Sequence, residues 1–276
     1  MKLLRPMTAA DIDAVVALIE LHDEDDAAEA QRFYSELNGC HGQFVLEQQD
    51  GIIGVTGFEA PSGCEQCYWI TWTYVHPRHL NRGHGRAMLT ELIDHLRQLG
   101  ARKLFVKVSD YVDAHGSAVY AAALHLYESL GFAVEARHAD FYDAGEAQII
   151  LGMRLAPPRR HDTAMQHPAI QFNEIFEIAE TEGAWSFGWH ERRGRGVAAP
   201  FSREDLQTGL DAVSREGARC VFLSFPSNYA GVHEALAGAG FDEAGMLKDY
   251  YDDGIDELHY AYFFNHALIT NNHDEN

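Results

Sequence analysis

The feature that most constrains this chain is a displaced copy of itself. Gly131-Phe132 recurs as Gly240-Phe241, Asp140 as Asp249, Tyr142-Asp143 as Tyr251-Asp252, Gly145 as Gly254, and Tyr120-Ala121 as Tyr229-Ala230, each 109 residues later. Nearer the N-terminus, Gly100-Ala101-Arg102 recurs as Gly217-Ala218-Arg219, Phe105 as Phe222, Asp94 as Asp211 and Leu89 as Leu206, now 117 residues later. A fixed spacing carried through separate stretches implies a repeated structural unit. The change in spacing, 117 against 109, implies an eight-residue insertion in the first copy. It falls in Ser109 to Val119, where the second copy has only Pro226-Ser227-Asn228. Ligands bind at the carboxyl ends of strands in open α/β sheets, so the enlarged loop reads as a recognition element, with a tolerated surface loop as the alternative.

Local patterns build the first copy. Leu3-Leu4-Arg5-Pro6 reads as a short strand, Thr8 to Asp11 as a capping box, and Ile12, Val15, Val16 and Ile19 as the core stripe of a helix. Strands at Gln43 to Gln48 and Gly51 to Glu59 meet at an Asp50-Gly51 turn. A helix from Met88 to about Leu99 carries Leu89, Leu92, Ile93 and Leu96 on one face and stops at Gly100; strand Lys103 to Val108 and helix Ala121 to Leu130 follow. In the second copy Phe172 to Ala179 and Ala184 to His190, joined through Thr181-Glu182-Gly183, read as a hairpin that replaces the opening strand and first helices. The expected organisation is a first domain over 1–156, a linker over 157–168, a shortened second domain over 169–266 and a polar tail over 267–276. The fold class is α/β (α+β), with mixed, mostly antiparallel sheets flanked by helices.

Between the strand ending at Tyr74-Val75 and the helix lies His76-Pro77-Arg78-His79-Leu80-Asn81-Arg82-Gly83-His84-Gly85-Arg86-Ala87. Gly83 and Gly85 lack Cβ, so backbone N–H groups can turn inward toward an anion, and the unsatisfied amides of the following helix add positive potential. A glycine turn before a helix is the plainer reading. Against it, the segment holds three arginines, three histidines and no carboxylate, in a chain with 42 acidic and 21 Lys+Arg residues. A pyrophosphate is the natural guest.

With these residues the chain resembles the GCN5-related N-acetyltransferase (GNAT) family, whose signature is a strand ending in V-x-P and then [RQ]-x-x-G-x-[GA] opening a helix. Here it reads Leu80-Asn81-Arg82-Gly83-His84-Gly85, with both glycines matched and Leu80 in place of Arg or Gln. The family's second signature appears as Tyr120-Ala121-Ala122-Ala123-Leu124-His125-Leu126-Tyr127-Glu128-Ser129-Leu130-Gly131-Phe132, with Tyr120 replacing the leading Asn. The resemblance covers about residues 1 to 156 and implies two GNAT-like modules, the second truncated.

The resemblance further implies direct acyl transfer from acetyl-CoA to an amine acceptor. Tyr74, Val75, His76, Leu80, Asn81, Arg82, Gly83, His84, Gly85, Arg86 and Ala87, with Tyr120, are the implied coenzyme contacts, and Tyr127 is the implied proton donor to the leaving thiolate; as a bare residue Tyr127 could also be a core side chain. The family often places a basic carboxylate on the strand before the cradle. Here that strand, Tyr68 to Tyr74, has none, which leaves Glu59, His76, Asp110, His115 or a water chain as proton acceptor, with Glu59 taken as the candidate. Trp69 and Trp72 should point to opposite faces of that strand.

Carried 117 residues on, Arg82-Gly83-His84-Gly85 becomes Ala199-Pro200-Phe201-Ser202. Pro200 has no N–H to donate, and Ser202 with Asp205 reads as an ordinary helix N-cap. The second copy is therefore expected to be catalytically inactive, while the first binds the coenzyme. A non-catalytic acyl-CoA sensor or scaffold is the alternative.

A formal charge of −21 argues against a nucleic-acid partner, since counterion release needs a basic footprint. Arg192-Arg193-Gly194-Arg195-Gly196 is a second, smaller basic island, read as a solvated turn. Cys64-Glu65-Gln66-Cys67 is a lone CxxC and reads as a hairpin loop, so no metal is expected. No apolar run is long enough to span a membrane and Met1 to Arg5 does not make a signal peptide, so the expectation is a cytoplasmic protein. The tandem copies could stand in for a homodimer as a pseudo-dimeric monomer.

Overall fold

The computed structural model describes residues 3–36, 39–49, 51–159, 163–192 and 199–264. Asp50 of the expected turn, Arg193 to Gly196 of the second basic island, part of the linker and the tail lie outside the described residues. Two compact units form: residues 1–106, 122–133 and 151–158 in one, and 107–121, 134–150 and 159–276 in the other. This division by packing departs from a boundary at 156 because residues 134–150 join the sheet of the later strands, where Ala136 pairs with Gly245.

In the first unit β1 (Leu4–Pro6), β2 (Gln43–Gln48), β3 (Gly51–Glu59), β4 (Cys67–Val75) and β5 (Lys103–Ser109) lie side by side in that order. The first three junctions are antiparallel and β4–β5 is parallel. Helices α1 (Ile12–Glu20) and α2 (Glu24–Ser35) bury Val15, Leu18, Ile19, Ala27, Ala30 and Tyr34 against Val45 and Val55. The capping box before α1 forms: the Thr8 amide donates to Asp11 Oδ2 at 2.8 Å, and Arg5 pairs with the same carboxylate. That guanidinium holds the Asp11 carboxyl well below the usual carboxylate range.

Helix α3 (His84–Gln98) buries Leu89, Leu92, Ile93 and Leu96, as the spacing predicts, but it opens at His84 and not at Met88. Gly83 is its N-cap at φ 82°, so Gly85, Arg86 and Ala87 form the first turn. Glycine is a poor interior helix residue, yet at the N-terminus its amide needs no intrahelical acceptor, which is why the start is earlier than the apolar period suggests. Helix α4 (Ala121–Leu130) follows, and its Tyr127 packs edge-on against Phe132 at 5.6 Å.

In the second unit the strand order is β7 (Glu146–Arg154), β6 (Ala133–Asp143), β11 (Asp242–Asp252), β12 (Ile255–Phe263), β10 (Cys220–Pro226), β9 (Ala184–Glu191) and β8 (Ile170–Glu177). Helices α5 (Arg203–Arg215) and α6 (Val232–Ala237) bury Leu206, Leu210, Val213, Val232 and Leu236 with Val221, Leu223, Phe225 and Tyr260. Hairpins β6–β7 and β11–β12 turn alike. Asp140 and Asp249 sit at φ 53° and 54°, and each Oδ1 accepts the amide of the glycine five residues on, Gly145 or Gly254, at 2.7 Å. The insertion folds as a small hairpin, with Val112 bridged to Ala118 and Asp113 Oδ1 accepting the amides of His115 and Ser117.

A buried polar chain crosses the strands of this unit. His138 Nδ1 lies 3.2 Å from Gln148 Oε1, so that nitrogen carries hydrogen and Nε2 is left to accept from His259 Nδ1 at 2.7 Å. His259 Nε2 meets Glu257 Oε2 at 2.9 Å, and Glu257 Oε1 accepts from Ser224 and from the Tyr251 hydroxyl at 3.1 Å each. Burial, and then the neighbouring His259, push the His138 imidazole down to about 3. The unfolded chain therefore binds a proton below about pH 6.5 that the folded chain refuses. Stability from this site is complete above about pH 6.5 and declines by roughly 1.4 kcal/mol per pH unit as pH falls toward the folded value. Urea midpoints measured between pH 7 and 4.5 should fall more steeply for the native chain than for His138→Gln; parallel curves would reject the assignment.

Candidate active site

The site of the first unit is built by a defect in β4. Val55 pairs with Tyr74 and Gly57 with Thr71, so two steps along β3 oppose three along β4. The extra residue is absorbed at Trp72, whose φ of 43° is left-handed, a bulge in an otherwise extended strand. Strand alternation alone does not predict it. Trp72 turns to Phe33 and Tyr34 of α2, at ring separations of 6.0 and 6.2 Å, while Trp69 packs on Phe105 of β5 at 5.4 Å. The recorded parallel pairing of β4 with β5 runs from Cys67↔Lys103 to Trp69↔Phe105. The C-terminal half of β4 lies beyond that register, where an extended ligand arm can add main-chain hydrogen bonds.

At the end of β4 the Val75 carbonyl accepts from His22 Nε2 at 2.9 Å, and the Tyr74 hydroxyl is hydrogen-bonded to Asp26. The chain then makes a 3-10 turn over Pro77–His79, capped by His76 Nδ1, which accepts the Arg78 amide at 3.1 Å. Asn81 at φ 57° and Gly83 at φ 82° put two left-handed residues in the loop, and the α3 amides follow directly. Such alternation turns successive N–H groups to one side and makes an anion nest. No acidic residue lies in the first turn of α3. Arg78 and Arg82 are exposed, Leu80 is 46% exposed, and Arg86 is tied to Ser129 Oγ of α4 at 2.6 Å. A Cβ at Gly85 would stand 3.4 Å from Leu126 and 3.9 Å from Val75, so the protein tolerates one there and the glycine leaves room on the loop side. The histidines His76, His79 and His84 follow one another at ring separations of 5.8 and 6.0 Å. These features fit a diphosphate.

Tyr127 is 6% exposed on α4. Burial pushes its phenol up to about 12. Thr73 Oγ1 lies 2.9 Å from Thr56 Oγ1, and Thr56 is wholly buried. Neither threonine stands out in the sequence, because β-branched residues in strands are commonplace.

The proton-acceptor candidates disperse. Glu59 is exposed at the end of β3 opposite Trp69, four residues along the strand from the partner of Tyr74, roughly 13 Å at the rise of a strand. Asp110 accepts the Ala147 amide at 2.6 Å and pairs with Arg137, which employs its carboxylate in holding a turn. His115 is exposed in the insertion hairpin. Asp110, His115 and Tyr120 belong to the second unit and the cradle to the first.

The second unit repeats the β4–β5 register with different contents. Cys220↔Ala184 to Phe222↔Ser186 stand 117 residues after Lys103↔Cys67 to Phe105↔Trp69. Beyond that pairing, Trp189 Nε1 donates to the Ser224 carbonyl at 3.1 Å while the indole stacks on Phe225 at 4.9 Å, filling the opening between β9 and β10. The start of α5 is capped by Ser202 Oγ and carries Glu204 and Asp205. An anion finds no welcome there. Among the described residues no cluster of His, Cys, Asp or Glu is arranged to hold a metal, and no helix is long and apolar enough to cross a membrane.

Residues 12–132 match the model of the Acetyltransferase (GNAT) family. Over 64 residues the chain is 38% identical to the L-amino acid N-acyltransferase MnaT of Escherichia coli K12, taking in 23% of this chain and 33% of that protein, so it spans a third of the length of that curated relative. Among solved structures, a protein of the GNAT family from Desulfovibrio desulfuricans aligns at 28% identity and TM-score 0.49, over 55% of this chain and 98% of its own. The ribosomal-protein-S18-alanine N-acetyltransferase of Escherichia coli aligns at 23% identity and TM-score 0.46, over 58% and 98%.

Proposed function

We propose, from the match of residues 12–132 to the Acetyltransferase (GNAT) family model, that the chain transfers an acetyl group from acetyl-CoA to the nitrogen of a small-molecule or peptide amine. The observation that carries the reading is the juxtaposition, within one unit, of a left-handed glycine cradle opening α3, a strand β4 diverging from β5 past Trp69, and the buried Tyr127 phenol. The bound donor supplies an activated thioester. Amides from Gly83 to Ala87 hold its diphosphate, with Arg82 adding charge, and the β4 backbone near Tyr74 and Val75 aligns its extended arm. Tyr127 protonates the departing sulfur, and Glu59 takes the acceptor's proton through water.

The second copy is read as catalytically inactive. The sealed β9–β10 opening and the self-capped, acidic start of α5 support that reading, as do the matched hairpins at Asp140 and Asp249. A non-catalytic acyl-CoA sensor is the second reading, favoured by the lack of a carboxylate on β4. Thiol release from acetyl-CoA, followed with DTNB across polyamines, aminoglycosides, amino acids and peptides, tests the two. Turnover with any acceptor supports the enzyme. Calorimetric binding of acetyl-CoA without turnover selects the sensor, and no binding rejects both.

A further inference from the structure

Taking the acetyltransferase reading as premise, we infer that His22 is a latch on the lane of the acetyl-CoA arm. In the free protein its imidazole holds the Val75 carbonyl, and the arm must exchange with it to bind.

The Val75 carbonyl is aimed where a strand partner is missing. In a trans peptide the C=O of one residue and the N–H of the next point to opposite sides. The His76 amide donates to the Ile53 carbonyl of β3 at 2.9 Å, so the Val75 carbonyl faces away from β3, toward the side on which the pairing of β4 with β5 ends at Trp69↔Phe105. Val75 is 8% exposed, and a main-chain acceptor so placed needs a donor. His22 Nε2 provides one at 2.9 Å. A carbonyl only accepts, so Nε2 carries the hydrogen.

The elbow between α1 and α2 builds that contact. The His22 amide donates to the Ile19 carbonyl at 2.8 Å in the last turn of α1, and Asp23 Oδ1 caps α2 by accepting the Asp25 and Asp26 amides at 2.9 and 3.0 Å. The imidazole rests against the Tyr74 ring at a centroid separation of 5.4 Å and an interplanar angle of 50°, and the Tyr74 hydroxyl is hydrogen-bonded to Asp26. Backbone and neighbours are thereby fixed, while the His22 side chain is exposed. Its ring can swing into water by a change of rotamer, with no movement of either helix.

The arm of acetyl-CoA carries amide N–H groups, and laid along β4 as an added strand it offers one to this carbonyl. Such a donor stands about 2.9 Å from the oxygen, the separation that His22 Nε2 already takes. The two donors compete for one seat. Binding therefore forfeits a hydrogen bond of the free protein, a loss that a chain without the His22 donor does not incur.

The test measures Kd by calorimetry for acetyl-CoA and for ADP, which keeps a diphosphate and lacks the arm, on the full native chain, His22→Ala, His22→Phe and His22→Gln. Both His22→Ala and His22→Phe should bind acetyl-CoA about three- to tenfold more tightly, the worth of one net hydrogen bond, with ADP affinity within about twofold of native. The phenylalanine keeps a ring against Tyr74 and lacks the donor. His22→Gln retains an N–H and should stay nearer the native value. Tighter binding in His22→Ala but not in His22→Phe would make the bulk of the ring the obstacle and overturn the proposal. Unchanged or weaker acetyl-CoA binding in both variants would also overturn the latch, while leaving the acetyl-CoA reading in place. An equal gain for ADP would move the effect to the diphosphate loop and count against it in the same way. If neither the native chain nor any variant binds acetyl-CoA, the acetyltransferase reading fails and the latch with it.

Discussion

Replacing Tyr127 with phenylalanine is expected to lower kcat by about two to four orders of magnitude, the range for removing a positioned general acid, and to leave acetyl-CoA affinity within about twofold. The split follows from position. The phenol is 6% exposed on α4 and packs on Phe132, while the proposed diphosphate site is made of main-chain amides on α3. With burial holding the phenol near 12, it stays protonated through neutral and mildly alkaline pH, so its acid form persists over the working range and is lost only as pH nears that value. Steady-state rates with DTNB and calorimetry on the same preparations measure both quantities. Loss of affinity along with rate would mean that Tyr127 acts through packing on Phe132.

Gly83→Pro should abolish coenzyme binding in practice, with a rise in Kd of about a hundredfold or more, equivalent to roughly 2.7 kcal/mol. Gly83 adopts φ 82° and proline is confined near −65°, so the left-handed N-cap cannot form and the first α3 amides turn away from the loop. Nothing lies within 4 Å of a Cβ at Gly83, so Gly83→Ala should cost only the left-handed strain, about 1 kcal/mol, and weaken binding far less. Circular dichroism shows whether α3 survives in each variant. A proline variant that is folded and still binds acetyl-CoA with native affinity would remove the cradle from the site.

Much of this site is legible because its components are local. A glycine pair between a strand and an amphipathic helix is encoded within a dozen residues, and so is the apolar stripe Leu89, Leu92, Ile93 and Leu96 of α3, which is buried throughout. The start of α3 was less legible: the apolar stripe begins only at Leu89 and Gly85 is a poor helix former, while the structure uses Gly85 and Arg86 in a first turn. Thr73 and Thr56 belong to a different class. They are 17 residues apart and their hydroxyls meet only through the fold, so no spacing rule identifies the pair.

The order of the chain alone carries the repeat, the eight-residue insertion, the loss of the glycine pair at Ala199-Pro200-Phe201-Ser202 and the cationic loop, since each is a matter of which residues follow which. Packing decided the rest. The Trp72 bulge breaks the two-residue alternation on which strand faces are read, and it sets the direction of Thr73. His138 and His259 meet across 121 residues, and Trp189 closes the β9–β10 opening by reaching a carbonyl 35 residues away. Contacts of that range depend on strand register and side-chain volume, quantities that exist only once the sheet has formed.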